Sequence, residues 1–183
     1  MKRLALFCVV VALTMTQLLA QESTFKKGDK VLNLGIGFGG RYMGTGMTTS
    51  VPPIGASFEV GVKDGVLEKG SIGVGGMLAY SAHKYEYAGW GWKYTSIIIG
   101  ARGTFHYPLV NKLDTYTGLL LGYDISTATE FGTSTGYPYD NSYGGLTYAW
   151  FVGARYYFSD SFAAFGELGV GVTILNIGVA LKF

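Results

Sequence analysis

From about residue 30 onward, large apolar residues alternate with small or polar ones in steps of two, and few stretches have helical spacing. A strand sends successive side chains to opposite faces, so this period predicts strands with one apolar and one small or polar side. The last nine residues show it most plainly. Leu175, Ile177, Val179, Leu181 and Phe183 fall on one face, and Asn176, Gly178, Ala180 and Lys182 on the other. A strand ending on a bare aromatic leaves an edge that something must pair. In a membrane the economical solution is a closed barrel, because lipid offers no partner to an open edge.

The same period marks eight segments: 31–40, 54–62, 71–80, 94–107, 113–125, 143–158, 162–172 and 174–183. An even number suits a barrel that returns to its starting side. In the first, Leu32, Leu34, Ile36 and Phe38 face outward, and Asn33, Gly35, Gly37 and Gly39 inward. The fifth contains the unbroken run Leu119-Leu120-Leu121, where periodicity alone assigns no face; its flanking Tyr116, Gly118 and Gly122 favour Leu119, Leu121 and Tyr123 outward. Longer connections at 41–53, 81–93 and 126–142 alternate with turns at 63–70, 108–112 and 159–161. Lys63-Asp64-Gly65 and Ser159-Asp160-Ser161 supply turn chemistry on the short side. Long loops on one side and tight turns on the other fit an outer-membrane barrel. The last connection, near Val172-Thr173, departs from the alternation by being short.

Composition agrees with this reading. The chain has 29 glycines in 183 residues, 14 tyrosines, 11 phenylalanines and only 4 prolines. The glycines follow no period of three, which excludes collagen. At the N-terminus, Lys2 and Arg3 precede the apolar run Leu4 to Leu13, and small Ala20 precedes Gln21. That is the pattern of a secretory signal peptide over 1–20. Its removal takes away Cys8, the single cysteine, so no disulfide or thiolate metal site is expected. Losing Lys2 and Arg3 from the 14 basic residues brings them level with the 12 acidic ones, which removes the electrostatic case for a nucleic-acid partner.

The stretch Gly153-Ala154-Arg155-Tyr156-Tyr157-Phe158-Ser159-Asp160-Ser161, then Phe165-Gly166-Glu167-Leu168-Gly169 and the terminal Val179 to Phe183, resembles the small eight-stranded outer-membrane barrels of the OmpA, OmpX and opacity-protein type. The resemblance extends over about 29–183. It implies an all-β, antiparallel up-and-down transmembrane barrel in the outer membrane of a Gram-negative bacterium, among its lipids and lipopolysaccharide. It also implies insertion by the barrel assembly machinery, with Phe183 in the recognition signal. The expected organisation is a signal peptide at 1–20, a short periplasmic segment at 21–28 and the barrel at 29–183, with no periplasmic module after it.

An eight-stranded barrel is just wide enough to be filled by side chains, so an open pore is disfavoured. The alternation puts Glu59, Arg102, Arg155, Glu167 and Lys182 toward the lumen. Buried charges need partners, and Glu59 and Glu167 are expected to pair with Arg102 and Arg155 as a plug on the periplasmic side. A gated ion path is the alternative. Tyr80, Trp90, Trp92, Tyr94, Tyr123 and Tyr143 near the long loops, and Tyr107, Tyr156, Phe158, Phe162 and Phe183 near the turns, read as two interfacial girdles. The segment around Tyr85, Tyr87, Trp90 and Trp92 is also aromatic enough to bind a sugar or protein outside the cell.

Three catalytic patterns fail on context. Gly35-Ile36-Gly37-Phe38-Gly39-Gly40 fits a dinucleotide fingerprint, but a Thr/Gly/Pro loop follows where a helix should start. Ser81 and His83 share a strand face, as a lipid-active barrel enzyme would require, but no acid is firmly placed to orient His83. His83 and His106 fall at opposite ends of the barrel, which disfavours a zinc site. The expectation is therefore a non-enzymatic barrel without cofactor, serving envelope integrity or surface interaction; a small channel is the alternative.

Overall fold

The computed structural model describes residues 23–40, 46–132 and 140–183, so the signal segment lies outside the described residues. The strands are β1 (Lys30–Phe38), β2 (Met47–Val66), β3 (Gly70–Tyr87), β4 (Trp90–Val110), β5 (Leu113–Phe131), β6 (Asp140–Tyr157), β7 (Phe162–Val170) and β8 (Leu175–Lys182). Each pairs antiparallel with its neighbour in sequence, and β1 pairs with β8, so the sheet closes into a barrel. At the seam Leu34 sits opposite Val179, and the Phe183 amide donates to the Lys30 carbonyl at 2.9 Å.

The period-two pattern becomes two surfaces. Leu119 and Leu121 are each 64% exposed on the outside, while Leu120 between them is buried in the lumen, so the continuous leucine run resolves as the flanking glycines suggest. On β6, Leu146, Tyr148, Trp150, Val152 and Tyr156 are exposed on the outward face, with the half-buried Ala154 between the last two. Inside, Asn33, Ser57, Glu59, Arg102, Thr104 and Arg155 are buried. Glycine makes room for them. A Cβ on Gly73 would come within 2.3 Å of Glu59 Oε1, and one on Gly35 within 2.6 Å of Asn176 Oδ1.

The strands on one side run well past the expected segments. β2 to β6 hold 18 to 21 residues, whereas β1, β7 and β8 hold 8 or 9. About 9–11 residues suffice to cross a bilayer. One wall of the barrel is therefore tall and the other low, and the short link near Val172-Thr173 is the low wall's rim. The expected loop at 81–93 is a continuation of β3 and β4, turning at Ala88 and Gly89 with φ of 51° and 83°, the two positive angles of a tight two-residue hairpin. Similarly, 126–131 belongs to β5 and 140–142 to β6, with 133–139 outside the described residues. Most of 41–53 is taken up by β2, whose register shifts twice between Thr49 and Ile54, where Pro52 and Pro53 can donate no ladder bond.

Two further readings need correction. Lys63-Asp64-Gly65 is not the turn between β2 and β3; it is an irregular stretch of β2 with register shifts on either side of Lys63, and the turn is at 67–69. Gly65 has a φ of 71°, as expected where a bulge needs a left-handed residue. Trp90, Trp92 and Tyr94 also do not join an outer girdle. They share the face of β4 that carries Ser96 and Arg102, and Tyr143 pairs with Ser126 on the corresponding face of β6. These aromatics face the barrel axis.

Candidate functional site

The lumen toward the short turns is filled by one polar network. Arg155, fully buried on β6, donates from Nη2 to Glu59 Oε2, from Nη1 to Asp114 Oδ2 at 2.9 Å and from Nε to Asn33 Oδ1 at 3.0 Å. Its fork suits these acceptors because guanidinium presents several donors in one plane. His106 lies between the same carboxylates, with Nδ1 2.7 Å from Asp114 Oδ1 and Nε2 2.8 Å from Glu59 Oε1. Only the doubly protonated ring can donate on both sides. Read so, Arg155 and His106 neutralise Glu59 and Asp114. Thr104 also donates to Glu59.

A second group lies beside it. Arg102 Nη2 donates to Glu167 Oε1 at 2.6 Å, where the Tyr116 hydroxyl also donates at 3.0 Å, and Asn176 Nδ2 is 3.3 Å from Glu167 Oε2. The two groups are joined through Ser57, whose Oγ accepts from Asn33 Nδ2 at 2.9 Å and from Arg102 Nη1 at 3.1 Å. The network thus draws side chains from every strand except β3, which contributes the space at Gly73. Aromatic rings pack around the cations: Arg155 lies over Tyr116 at 4.5 Å and Arg102 over Phe151 at 4.2 Å.

Residues 23–29 close the network from below. Phe25 is fully buried and stacks on His106 with ring centroids 4.1 Å apart. It packs in an apolar layer with Val31, Tyr157, Ala163, Phe165 and Ala180. The segment is held by Ser71 Oγ donating to the Phe25 carbonyl at 2.8 Å, by the Lys27 amide donating to Asp64 Oδ1 at 2.6 Å, and by reciprocal backbone bonds joining Gly28 and Asp29 to Gly61.

Of the five inward charges expected from the sequence, the structure brings Glu59, Arg102, Arg155 and Glu167 into this network and leaves Lys182 outside it. Lys182 Nζ donates to the Thr24 carbonyl at 3.0 Å and lies 3.6 Å from Asp29, tying down the N-terminal segment instead. Sequence reasoning missed His106, Asp114, Tyr116, Asn33 and Ser57 as members. The signal for His106 was present, since it lies four residues from Arg102 and so on the same face. Phe183 is largely exposed, with its backbone paired to Lys30. Glu59, Asp114 and His106 are engaged with one another and Arg155, and no group among the described residues is arranged to hold a metal ion.

At the other end, Tyr85 pairs with Trp92 and Tyr87 with Trp90 across the β3–β4 hairpin, which rises above the low wall. Tyr87 is 73% exposed. Trp90 and Trp92 meet edge to face at 6.3 Å, and Trp90 Nε1 donates to Glu130. Below them Ser81 and His83 are buried on the inner face of β3 and line a cavity. Asp124, on the same cavity wall, accepts at Oδ1 from Ser96 at 2.6 Å and Ser126 at 3.0 Å.

No family model matches the chain, and no curated protein is detectably similar to it in sequence. Solved structures do match it in shape. The N-terminal β-barrel domain of Pseudomonas aeruginosa OprF aligns with a TM-score of 0.54 and 14% identity, covering 86% of this chain and 98% of that one. Ail, the attachment invasion locus protein of Yersinia pestis, in complex with the heparin analogue sucrose octasulfate, aligns with a TM-score of 0.53 and 12% identity, covering 86% and 99%. At such identities the likeness is one of fold: this is a small eight-stranded barrel of the outer-membrane type.

Proposed function

Proceeding from that fold, we propose that the chain is a non-enzymatic integral protein of a Gram-negative outer membrane. In this reading it is exported by the signal at 1–20, keeps 21–28 on the periplasmic side and inserts 29–183 through the barrel assembly machinery, with Phe183 in the assembly signal. The barrel is sealed along its axis and supports the envelope, among outer-membrane lipids and lipopolysaccharide. The observation that carries the sealed reading is the network of Arg155, Glu59, Asp114, His106, Arg102 and Glu167 across the lumen, with Phe25 beneath it. Charges held at hydrogen-bond distance by one another line no water-filled path.

Planar bilayers containing the purified barrel are expected to show no reproducible conductance steps. Steps abolished in Arg102 or Arg155 variants would establish the channel reading instead. Membrane placement has its own test. Leu121→Arg puts a charge on the outer face near mid-strand and is expected to cost about 2–4 kcal/mol of folding stability in lipid vesicles, whereas the same change on a water-facing surface would cost little.

The exposed β3–β4 hairpin favours a second role, contact with a ligand outside the cell through Tyr85, Tyr87, Trp90 and Trp92. Tyr and Trp carry much of the energy in binding surfaces, which makes this the element to truncate in a binding screen. Loss of lipid or lipopolysaccharide turnover in a Ser81→Ala variant would restore the enzyme reading.

A further inference from the structure

Toward the short turns, the outward apolar strips of three strands end on an exposed lysine. β1 begins at Lys30, below Leu32 and Leu34; the strip of β2 passes from Phe58 and Val62 to Lys63; and that of β4 passes from Tyr107 and Leu109 to Lys112, just beyond the strand. Lys30 lies opposite Phe183, with backbone bonds in both directions, and Lys63 lies opposite Ile72. Opposite residues of an antiparallel pair share a face, so both lysines stand on the outer surface beside large apolar side chains. A lysine so placed lays its stem along apolar surface and keeps its ammonium group at the margin. Among the described residues, none of the three makes an ion pair. The acids beside them in sequence are engaged elsewhere, Asp29 with the Lys26 amide and Lys182, and Asp64 with the Lys27 amide.

Charge is distributed unevenly between the two ends of the barrel. At the short-turn end, segments 23–30, 63–69, 110–112, 159–161 and 181–183 carry seven lysines against four acidic side chains. At the other end, segments 84–93, 124–130 and 140–143 carry two lysines against four acidic side chains, counted among the described residues. The cationic end also exposes apolar side chains, with Leu67 in the β2–β3 turn 73% accessible and Val110 at the end of β4 54%. A soluble anion gains only from the lysines. A lipid gains from both features, its chains against the apolar strips and its headgroup at the ammonium groups, and an anionic lipid surface attracts such lysines most.

We propose that Lys30, Lys63 and Lys112 bind the headgroups of anionic phospholipids in the periplasmic leaflet. The proposal rests on the barrel spanning a membrane with its short turns toward the periplasm, and it adds which lipids surround that end and which residues select them.

Electron paramagnetic resonance of the intact barrel in phosphatidylcholine vesicles tests this with trace spin-labelled phosphatidylglycerol or phosphatidylcholine. It compares the fraction of each label immobilised at the protein surface. Phosphatidylglycerol is expected to associate about threefold or more better. Raising the salt from about 0.1 M to about 1 M is expected to bring the two labels level, because screening shortens the reach of the lysines. Lys30→Gln, Lys63→Gln and Lys112→Gln combined are expected to do so at low salt. Lys84→Gln with Lys93→Gln, at the end where Lys84 already pairs with Glu86, is expected to leave the preference intact. The salt series on the wild-type protein decides the matter if the triple variant fails to assemble. Immobilised lipid without a preference for phosphatidylglycerol, or a preference that survives high salt or the triple variant, would overturn the proposal and leave the membrane reading standing. No immobilised lipid of either kind would overturn both. A preference erased by millimolar glycerol phosphate would assign the lysines to a soluble phosphate and overturn the lipid.

Discussion

Arg155→Ala is expected to lower the stability of the barrel by about 3–5 kcal/mol, the usual consequence of removing one partner from a buried ion group. The cause is what the substitution leaves behind. Glu59 and Asp114 lose the guanidinium that bonds both of them, and His106 remains the single cation between two buried carboxylates. Asn33 loses its donor as well, which loosens the link through Ser57 to Arg102. Urea titration of the protein in lipid vesicles, followed by tryptophan fluorescence and gel mobility, reads the change. Arg155→Lys is expected to fall between wild type and Arg155→Ala, because an ammonium cannot serve three separated acceptors as a planar fork does. Adding Glu59→Gln and Asp114→Asn to Arg155→Met removes these three charges together, so that His106 no longer needs its second proton, and is expected to recover most of the loss. An unchanged unfolding midpoint in Arg155→Ala would mean that the network contributes nothing to the fold.

The second large effect is expected at Phe25. Phe25→Ala empties a fully buried site against His106, Val31, Tyr157 and Phe165, for which a loss of about 3–5 kcal/mol is typical. The same variant is expected to remain non-conducting, since the Arg155 and Arg102 groups still cross the lumen above the vacated site. Unfolding in urea and bilayer recordings on one preparation separate the two outcomes. Conductance in Phe25→Ala would make the ring, and not the charges, the seal. Stability equal to wild type would mean that residues 23–29 rest on the barrel without contributing to it.

The fold could be read from the sequence because the membrane-crossing part of each strand separates apolar from small or polar residues by position. The strand extensions could not be read in the same way. Above the low rim both faces of a hairpin meet water, so the hydropathy alternation fades at Lys84 to Trp90 although the strand pairing continues as far as Tyr87 and Trp90, on either side of the Ala88-Gly89 turn. This is also why Trp90 and Trp92 looked like girdle residues: without an apolar partner row, an aromatic gives no sign of its face. Glu59, Arg102, Arg155 and Glu167 were legible as inward charges by counting in twos. Asp114 was not, because it sits beside a turn, where a carboxylate is ordinarily a solvated turn residue. Phe25 lies between Ser23-Thr24 and Lys26-Lys27, and a lone aromatic in a polar stretch carries no periodic signal. Its burial depends on the mouth of the finished barrel, a tertiary feature.

The span of the polar network has a consequence for the order of events in assembly. Arg155 bonds Asn33, which is 122 residues away along the chain, and Glu59, which is 96 away. Those partners meet only once the sheet has curled far enough to bring β6 across from β1 and β2. Until then Arg155 has only Asp114, its neighbour across the β5–β6 pair, and Glu59 lacks its arginine, so an inserting chain carries incompletely neutralised charge into the membrane at a cost that rises with depth. The interior therefore penalises a half-made sheet and rewards the ring, so that joining β8 to β1 and neutralising the lumen are favoured as one event. In this reading, the charges proposed to seal the completed barrel also act during its making, as a check that it has closed.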